Sequence, residues 1–414
     1  MSTHLVETTE EDSFLAVARY VGELLNEGQD RTVLAETPGS RFSSDCEALQ
    51  AEGKFADLLS RLASQLELLF AKAAEKDLEC CLNIVCHLLA RVPPAQTPLA
   101  TRQIAATLCS KVDQHAEQRL QGLTQLYNVV GDPRTQFAVL LDALQYAKQA
   151  QLSSLLAPVV KGRVEDWIKD WKLSPQDARK LYLAVADLLR TNKKRKALLR
   201  DAFKLTVKCL STFEEATPAE LAEIKGVAAD AVAQFVASTD MFQFDLAESP
   251  AVKQLESDPQ YGVLYSLLLV LLAGDLQGFE ALAKANKADV EASGASYDDM
   301  RAKMRIMALL ALASRSATIP FSTIKDTLAL SEEGEVEAWV VRAIGKKLVE
   351  GRIDQLRGVV TITKCTPRSF GRDQWQELRE QLAAWKESIK GVRELVSEQK
   401  PVVSQRPLPA AVRA

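Results

Sequence analysis

A chain of 414 residues with 47% apolar and 26% charged residues can bury a sizeable core in two or three packed regions or one extended array. Its net charge of −4 is too small for a binder driven by nucleic-acid or membrane electrostatics. The seven cysteines are odd in number and irregular in spacing, which excludes a disulfide framework and reads as buried thiols in a reducing compartment.

Scarce Gly (18) and Pro (15), few aromatics (6%) and abundant Ala, Leu, Lys and Glu favour helix over sheet, because Ala and straight-chain residues lose little rotamer freedom in a helix. Residues 1–12 are acidic and polar, unlike a signal or transit peptide, and are expected to be flexible. The longest near-apolar run, Tyr261 to Ala273, is too short to span a bilayer, so no membrane partner is expected and the expected place is the cytoplasm.

From about Asp12 to Arg315 helix follows helix. Phe55, Leu58, Leu59, Leu62, Leu66, Leu69 and Phe70 form one apolar stripe at helical spacing. Leu78, Leu82, Val85, Leu88, Leu89 and Val92 form the next, stopped by Pro93-Pro94. Further stripes are Val160, Val164, Trp167, Ile168 and Trp171, then Leu181, Val185, Leu188 and Leu189. Ser174-Pro175 reads as an N-cap followed by proline at the first helical position, and Thr217-Pro218-Ala219-Glu220 as a capping box. Helices of this size joined by short turns predict a mainly α fold, a solenoid of helical pairs like HEAT or TPR repeats.

Near Ser316 the pattern changes. A short extended stretch, Thr318-Ile319-Pro320, leads into a helix from Phe321 to Leu330; Ser331 then caps a helix over about Glu332 to Glu350, with Gly351 placed as its C-terminal glycine. Two β-branched runs, Arg352 to Leu356 and Val359 to Lys364, are joined across Arg357-Gly358 as a hairpin. This order is that of a winged helix. Its strand around Val359, Val360 and Ile362 is expected to be a free edge that augments a neighbouring sheet.

The last helix, expected over 369–397, carries Trp375, Leu378, Leu382, Trp385, Ile389, Val392 and Val396 at alternating steps of three and four, a heptad seam. Its other face carries Arg379, Glu380, Lys386, Glu387, Lys390 and Arg393. Such a seam either folds back on the chain's own winged helix or packs on helices of other chains, and its length favours the second. Residues 398–414 contain three prolines and no apolar periodicity and read as a disordered tail.

Little else carries chemistry. Cys80, Cys81, Cys86 and His87 alternate with leucines on one helix, unlike the paired spacing of zinc sites, and read as buried thiols. The three histidines, His4, His87 and His115, lie in no nucleophile motif, and phosphate-binding glycine loops are missing, so no enzyme, cofactor or metal is expected. The run Lys193-Lys194-Arg195-Lys196 reads as a solvated loop between helices. Glu332, Glu333, Glu335 and Glu337 would repel phosphates at the start of the recognition helix, which argues against duplex DNA. A weak RNA contact would run through Lys346, Lys347, Arg352 and Arg357.

A helical array ending in a winged helix resembles the PCI domain, shared by the proteasome lid, the signalosome and eukaryotic translation initiation factor 3. Four segments are similar to the last of these: Val164-Glu165-Asp166-Trp167-Ile168-Lys169-Asp170-Trp171, Phe242-Gln243-Phe244-Asp245-Leu246, Met300-Arg301-Ala302-Lys303-Met304-Arg305, and Ser369-Phe370-Gly371-Arg372-Asp373-Gln374-Trp375 with Leu382-Ala383-Ala384-Trp385-Lys386. The resemblance spans roughly Val164 to Leu395. It implies an N-terminal arm over 13–199, a PCI domain over 200–366 with its winged helix at 317–366, and a non-catalytic scaffold subunit in a hetero-oligomer. Other PCI and related subunits would be its partners, and the small ribosomal subunit an indirect one. In such assemblies winged helices pack edge to edge and C-terminal helices gather in a bundle. A different PCI assembly, or a stand-alone winged-helix RNA binder, is the alternative.

Overall fold

The computed structural model describes residues 13–27, 37–192, 195–247, 249–273, 275–286, 296–366 and 372–404. Residues 1–12, the pair Lys193-Lys194 and the end of the expected tail lie outside them. The chain divides into two compact units, Met1–Thr212 and Phe213–Ala414.

Among the described residues the first unit is all helical: α1 Ser13–Asn26, α2 Pro38–Ala51, α3 Phe55–Ala63, α4 Leu66–Lys72, α5 Glu75–Leu88, α6 Thr97–Leu108, α7 Ala116–Val129, α8 Pro133–Gln149, α9 Ser153–Val160, α10 Val164–Asp170, α11 Pro175–Arg190 and α12 Lys196–Ser211. Sequence neighbours pack as hairpins, α1 on α2, α7 on α8 and α11 on α12. The expected division at 199/200 falls inside α12, which belongs with the first unit because it packs along α11. Two expected single stripes are each split in two. Ser64-Gln65 separates α3 from α4, and Lys161 to Arg163 separates α9 from α10. The first break has neither glycine nor proline, whereas the second holds Gly162 with Pro158 shortly before it; apolar residues on both sides of each remain buried.

The caps behave as their chemistry requires. Ser174 Oγ accepts from the Asp177 amide at 3.2 Å, and Asp132 accepts from the Thr135 amide at 2.9 Å, each ahead of a proline at the helix start. At Thr217 both halves of the capping box form: the Glu220 side chain accepts from the Thr217 amide at 3.0 Å, and Thr217 Oγ1 accepts from the Glu220 amide.

The second unit continues with α13 Pro218–Ala237, α14 Pro250–Lys253, α15 Gly262–Ala273, α16 Leu276–Ala285 and α17 Tyr297–Arg315. The winged helix follows: β1 Thr318–Pro320, α18 Phe321–Leu328, α19 Gly334–Gly345, β2 Val349–Asp354 and β3 Val359–Cys365, then α20 Arg372–Ser404. The sheet is antiparallel in the order β1-β3-β2, with Ile319 opposite Val360 and Ile353 also opposite Val360. Ile319, Phe321, Ile324, Leu328, Val336, Val340, Val349 and Val360 form the buried core of the winged helix.

Here α19 is shorter than the sequence pattern suggests. It starts at Gly334 rather than after Ser331, and it ends at Gly345, where Lys347 takes the left-handed conformation (φ 59°). Gly351 therefore is not a helix cap. It lies at a bulge in β2, where a Cβ would come within 2.6 Å of the Thr361 carbonyl oxygen. The hairpin closes through Gly358 (φ 62°) and an Asp354 carboxylate that accepts from the Arg357 amide at 3.1 Å. Helix α20 runs to Ser404, past the expected end at Ser397, and 405–414 lie outside the described residues.

Candidate partner interface

Helix α20 has 33 residues, about 50 Å at 1.5 Å per residue. Its heptad residues Trp375, Leu378, Leu382, Trp385, Ile389, Val392 and Val396 are all exposed, as is Leu395 beside them; Trp385 is 65% and Ile389 69% accessible. Scattered exposed apolar residues are ordinary; here they form one contiguous stripe that holds two tryptophans. The alternative seat, folded back on the chain's own winged helix, is not taken.

The expected edge strand is corrected by the sheet order. Val359, Val360 and Ile362 lie on β3, the central strand, paired to β1 on one side and β2 on the other. Val360 is buried, and the Ile362 amide donates to the Ala317 carbonyl at 2.7 Å. The short segment Thr318–Pro320 takes the position the hairpin alone would leave open. Strand β2 is an edge strand instead, with exposed Glu350 and Arg352 on it.

The four basic candidates for RNA do not act as one set. Lys346 is held inside the unit: its Nζ lies 2.6 Å from Asp240 Oδ1, donates to the Thr239 carbonyl at 3.0 Å and sits over the Phe242 ring at 5.4 Å. It ties α19 to the aromatic stretch Phe242 to Leu246 that the sequence singles out. Lys347, Arg352 and Arg357 are exposed, with Arg357 3.8 Å from Asp354.

Cys81 and Cys86 are buried while His87 on the next position points to solvent, so these residues do not converge on a metal. Among the described residues no group of three or more His, Cys, Asp and Glu is placed to hold one. Burial pushes the Cys86 thiol up to about 12, and burial with its acidic and thiol neighbours does the same for Cys81, which leaves both unreactive. Trp167 and Trp171 stack at 5.8 Å with Tyr127 edge-on to both and Phe137 edge-on to Trp171, a packed aromatic cluster.

Two buried cations were not singled out as such in the sequence. Arg119 is fully buried over the Phe70 ring (4.0 Å), donates to the carbonyls of Gln114, Thr107 and Leu108, and pairs with Glu67 at 2.7 Å. Burial alone would push the Glu67 carboxyl up; hydrogen bonds from Lys111, Arg119 and Ser110, with the Arg119 charge, outweigh it and hold it down at about 2. Lys303 is 2% exposed and lies on the apolar stripe of α17 with Met300, Met304 and Met307. That placement was readable from the spacing. Its ammonium donates to the Phe235 carbonyl and sits 3.8 Å from the Phe235 ring centre. Among the described residues no helix is long and apolar enough to cross a membrane.

A helical array closed by this winged helix, with a PCI domain match over residues 283–364, makes the chain a PCI-domain protein. Residues 368–395 match a second family description, the C-terminal helix of initiation factor 3 subunit M. A protein named eukaryotic translation initiation factor 3 subunit M from Dictyostelium discoideum is 28% identical over 89% of this chain and 91% of its own length. Proteins of the same name from Phaeosphaeria nodorum (26% identical; 96% and 89%) and Mus musculus (27%; 78% and 83%) match comparably. Along most of its length the chain is thus similar to proteins named as subunit M of eukaryotic translation initiation factor 3.

Proposed function

We propose that the chain is a non-catalytic scaffold subunit of a translation initiation factor 3 complex in the cytoplasm, held there by other PCI and related subunits. Through that complex it supports assembly on the small ribosomal subunit and recruitment of messenger RNA. The observation that carries this reading is the seam on α20: apolar side chains at heptad spacing, exposed along the helix, in the segment that matches the subunit M helix. Each such side chain gains about 1.5–3 kcal/mol when covered, which this chain leaves unrealised by itself. Strand β2, an edge of the winged-helix sheet, offers a second, smaller surface for pairing with a neighbouring sheet.

The test is the double substitution Leu382→Asp and Trp385→Asp in the tagged full-length chain. It should abolish co-purification of initiation factor subunits while the thermal midpoint of the chain stays within about 2 °C, because neither side chain is in a core. Normal recovery of the complex by this variant would refute the assignment.

A further inference from the structure

Which helix covers the seam is encoded beside it, and this inference rests on the docking role proposed for α20. With Trp375, Leu382, Ile389 and Val396 at heptad position a and Leu378, Trp385 and Val392 at d, the charges fall on two different tracks. Position f, directly opposite the seam, holds Glu380, Glu387 and Glu394. Position e, which borders the seam, holds Arg379, Lys386 and Arg393. The far border, position g, holds Gln381, Ser388 and Leu395, with no charge. The basic residues on the polar side are therefore not all set opposite the seam: three of them line one edge of it.

Those three cations are also isolated within the helix. A helical side chain meets neighbours three and four positions away. For Arg379 these include Gln376, Leu382 and Ala383; for Lys386 they are Leu382, Ala383, Ile389 and Lys390; for Arg393, Ile389, Lys390, Val396 and Ser397. None is acidic. Lys390, on another track, has Glu387 and Glu394 at these distances and pairs with Glu387 at 3.4 Å. Among the described residues Arg379, Lys386 and Arg393 are exposed and make no ion pair. In a helix rich in glutamate, the acids are kept off the positions that would neutralise the basic edge.

Residues at e and g form the ion pairs between packed helices and set partner choice. We infer that α20 takes a helix from another chain that carries carboxylates along the edge of its own apolar seam, an acidic amphipathic partner. A second copy of this chain does not fit. In an antiparallel pair e faces e, which sets Arg379, Lys386 and Arg393 against the same cations. In a parallel pair e faces g, which offers only glutamine, serine and leucine. The basic edge thus selects against self-association as well as for an acidic neighbour.

The full-length protein is titrated with two synthetic helical peptides that share one Leu/Ile heptad seam and differ only in the bordering positions, all Glu in one and all Lys in the other. The Glu peptide should bind about tenfold tighter at low salt, three edge pairs each contributing a factor of about two, and the ratio should shrink as salt rises. The variant Arg379→Glu, Lys386→Glu, Arg393→Glu should reverse the preference and bind the Lys peptide more tightly, with its helical circular dichroism retained. Equal binding of both peptides by the native chain, or no binding of either, overturns the inference. The docking role itself is judged separately by co-purification of the Leu382→Asp, Trp385→Asp variant, so the two ideas fail by different measurements.

Discussion

Helices α11 and α20 carry the same kind of apolar stripe and end in opposite states. In α11, Leu181, Val185, Leu188 and Leu189 are fully buried, covered by α8 and α12. In α20 the corresponding residues are exposed although they include two tryptophans. The amount of apolar surface does not separate the two; the neighbours do. Helix α12 follows α11 within a few residues and packs along it. The winged helix that precedes α20 commits Ile319, Phe321, Ile324, Leu328, Val336, Val340, Val349 and Val360 to its own buried core, which packs on α17. An apolar stripe therefore states a demand for burial, and the connectivity around it decides whether the demand is met within the chain or by another molecule.

The comparison is sharpest as a pair of truncations. Leu188→Ala should destabilise the first unit by about 2–5 kcal/mol, the cost of removing a fully buried leucine and leaving a cavity. Leu382→Ala, the same chemical change on α20, should move the urea midpoint by less than about 0.5 kcal/mol equivalent in the isolated chain. A large loss from Leu382→Ala alone would mean that α20 is covered by its own chain in solution, and the contrast would collapse.

A smaller effect probes how the first unit holds a buried charge, whereas, among the described residues, the charges of α20 are exposed. Arg119→Ala should cost roughly 3 kcal/mol, because three carbonyls and the Glu67 carboxylate lose their donor and a void opens beside Phe70. The pair also gives an acid limit. Glu67 has its carboxyl lowered from the ordinary 4.5 to about 2, so its contribution is fully present above pH 4.5 and fades as pH falls toward 2. After discounting for the third of its surface that is wet, that contribution is about 1–2 kcal/mol. Acid unfolding profiles of the two proteins should converge at low pH; profiles that stay parallel down to pH 2 would show that the clamp is not what acid breaks.

How far the sequence foretold this structure depends on whether the cause was local. The caps at Ser174 and Thr217 and the winged-helix order are legible because a few adjacent residues determine them. The break at Lys161 to Arg163 has a local signal in Gly162 and Pro158, whereas the break at Ser64-Gln65 has none, since ordinary residues make that turn under tertiary packing. The left-handed Lys347 is another such case: a non-glycine residue took the role that Gly351 seemed to offer, and this moved the start of β2 forward to Val349. The candidate edge failed for a non-local reason. Three residues, Thr318–Pro320, pair with β3 across about forty positions of sequence, and no pattern in the hairpin announces it. The α20 seam was legible because a heptad is local, and the border charges stand in the same letters.

The smallest predicted effect concerns the second unit's buried cation, which has no carboxylate of the kind Arg119 has. Burial draws the Lys303 ammonium from its ordinary 10.5 down to about 7. The Phe235 carbonyl, the ring beneath the ammonium and the nearby end of α13 all favour a charge there, and burial outweighs them. Between pH 7 and 10.5 the unfolded chain then holds a proton that the folded chain does not. Stability must rise with pH across that window, and the penalty is complete below pH 7. Lys303→Met keeps the length and apolar character of the stem and removes the titration, so it should stabilise the chain by about 1–2 kcal/mol at pH 6 and lose that advantage progressively as pH rises from 7 to 10.5. The check is the difference between the two urea midpoints at each pH, which cancels every other titrating group. A constant difference would mean that Lys303 stays protonated in the fold, held by the Phe235 carbonyl and ring, and the contrast with Arg119 would reduce to geometry alone.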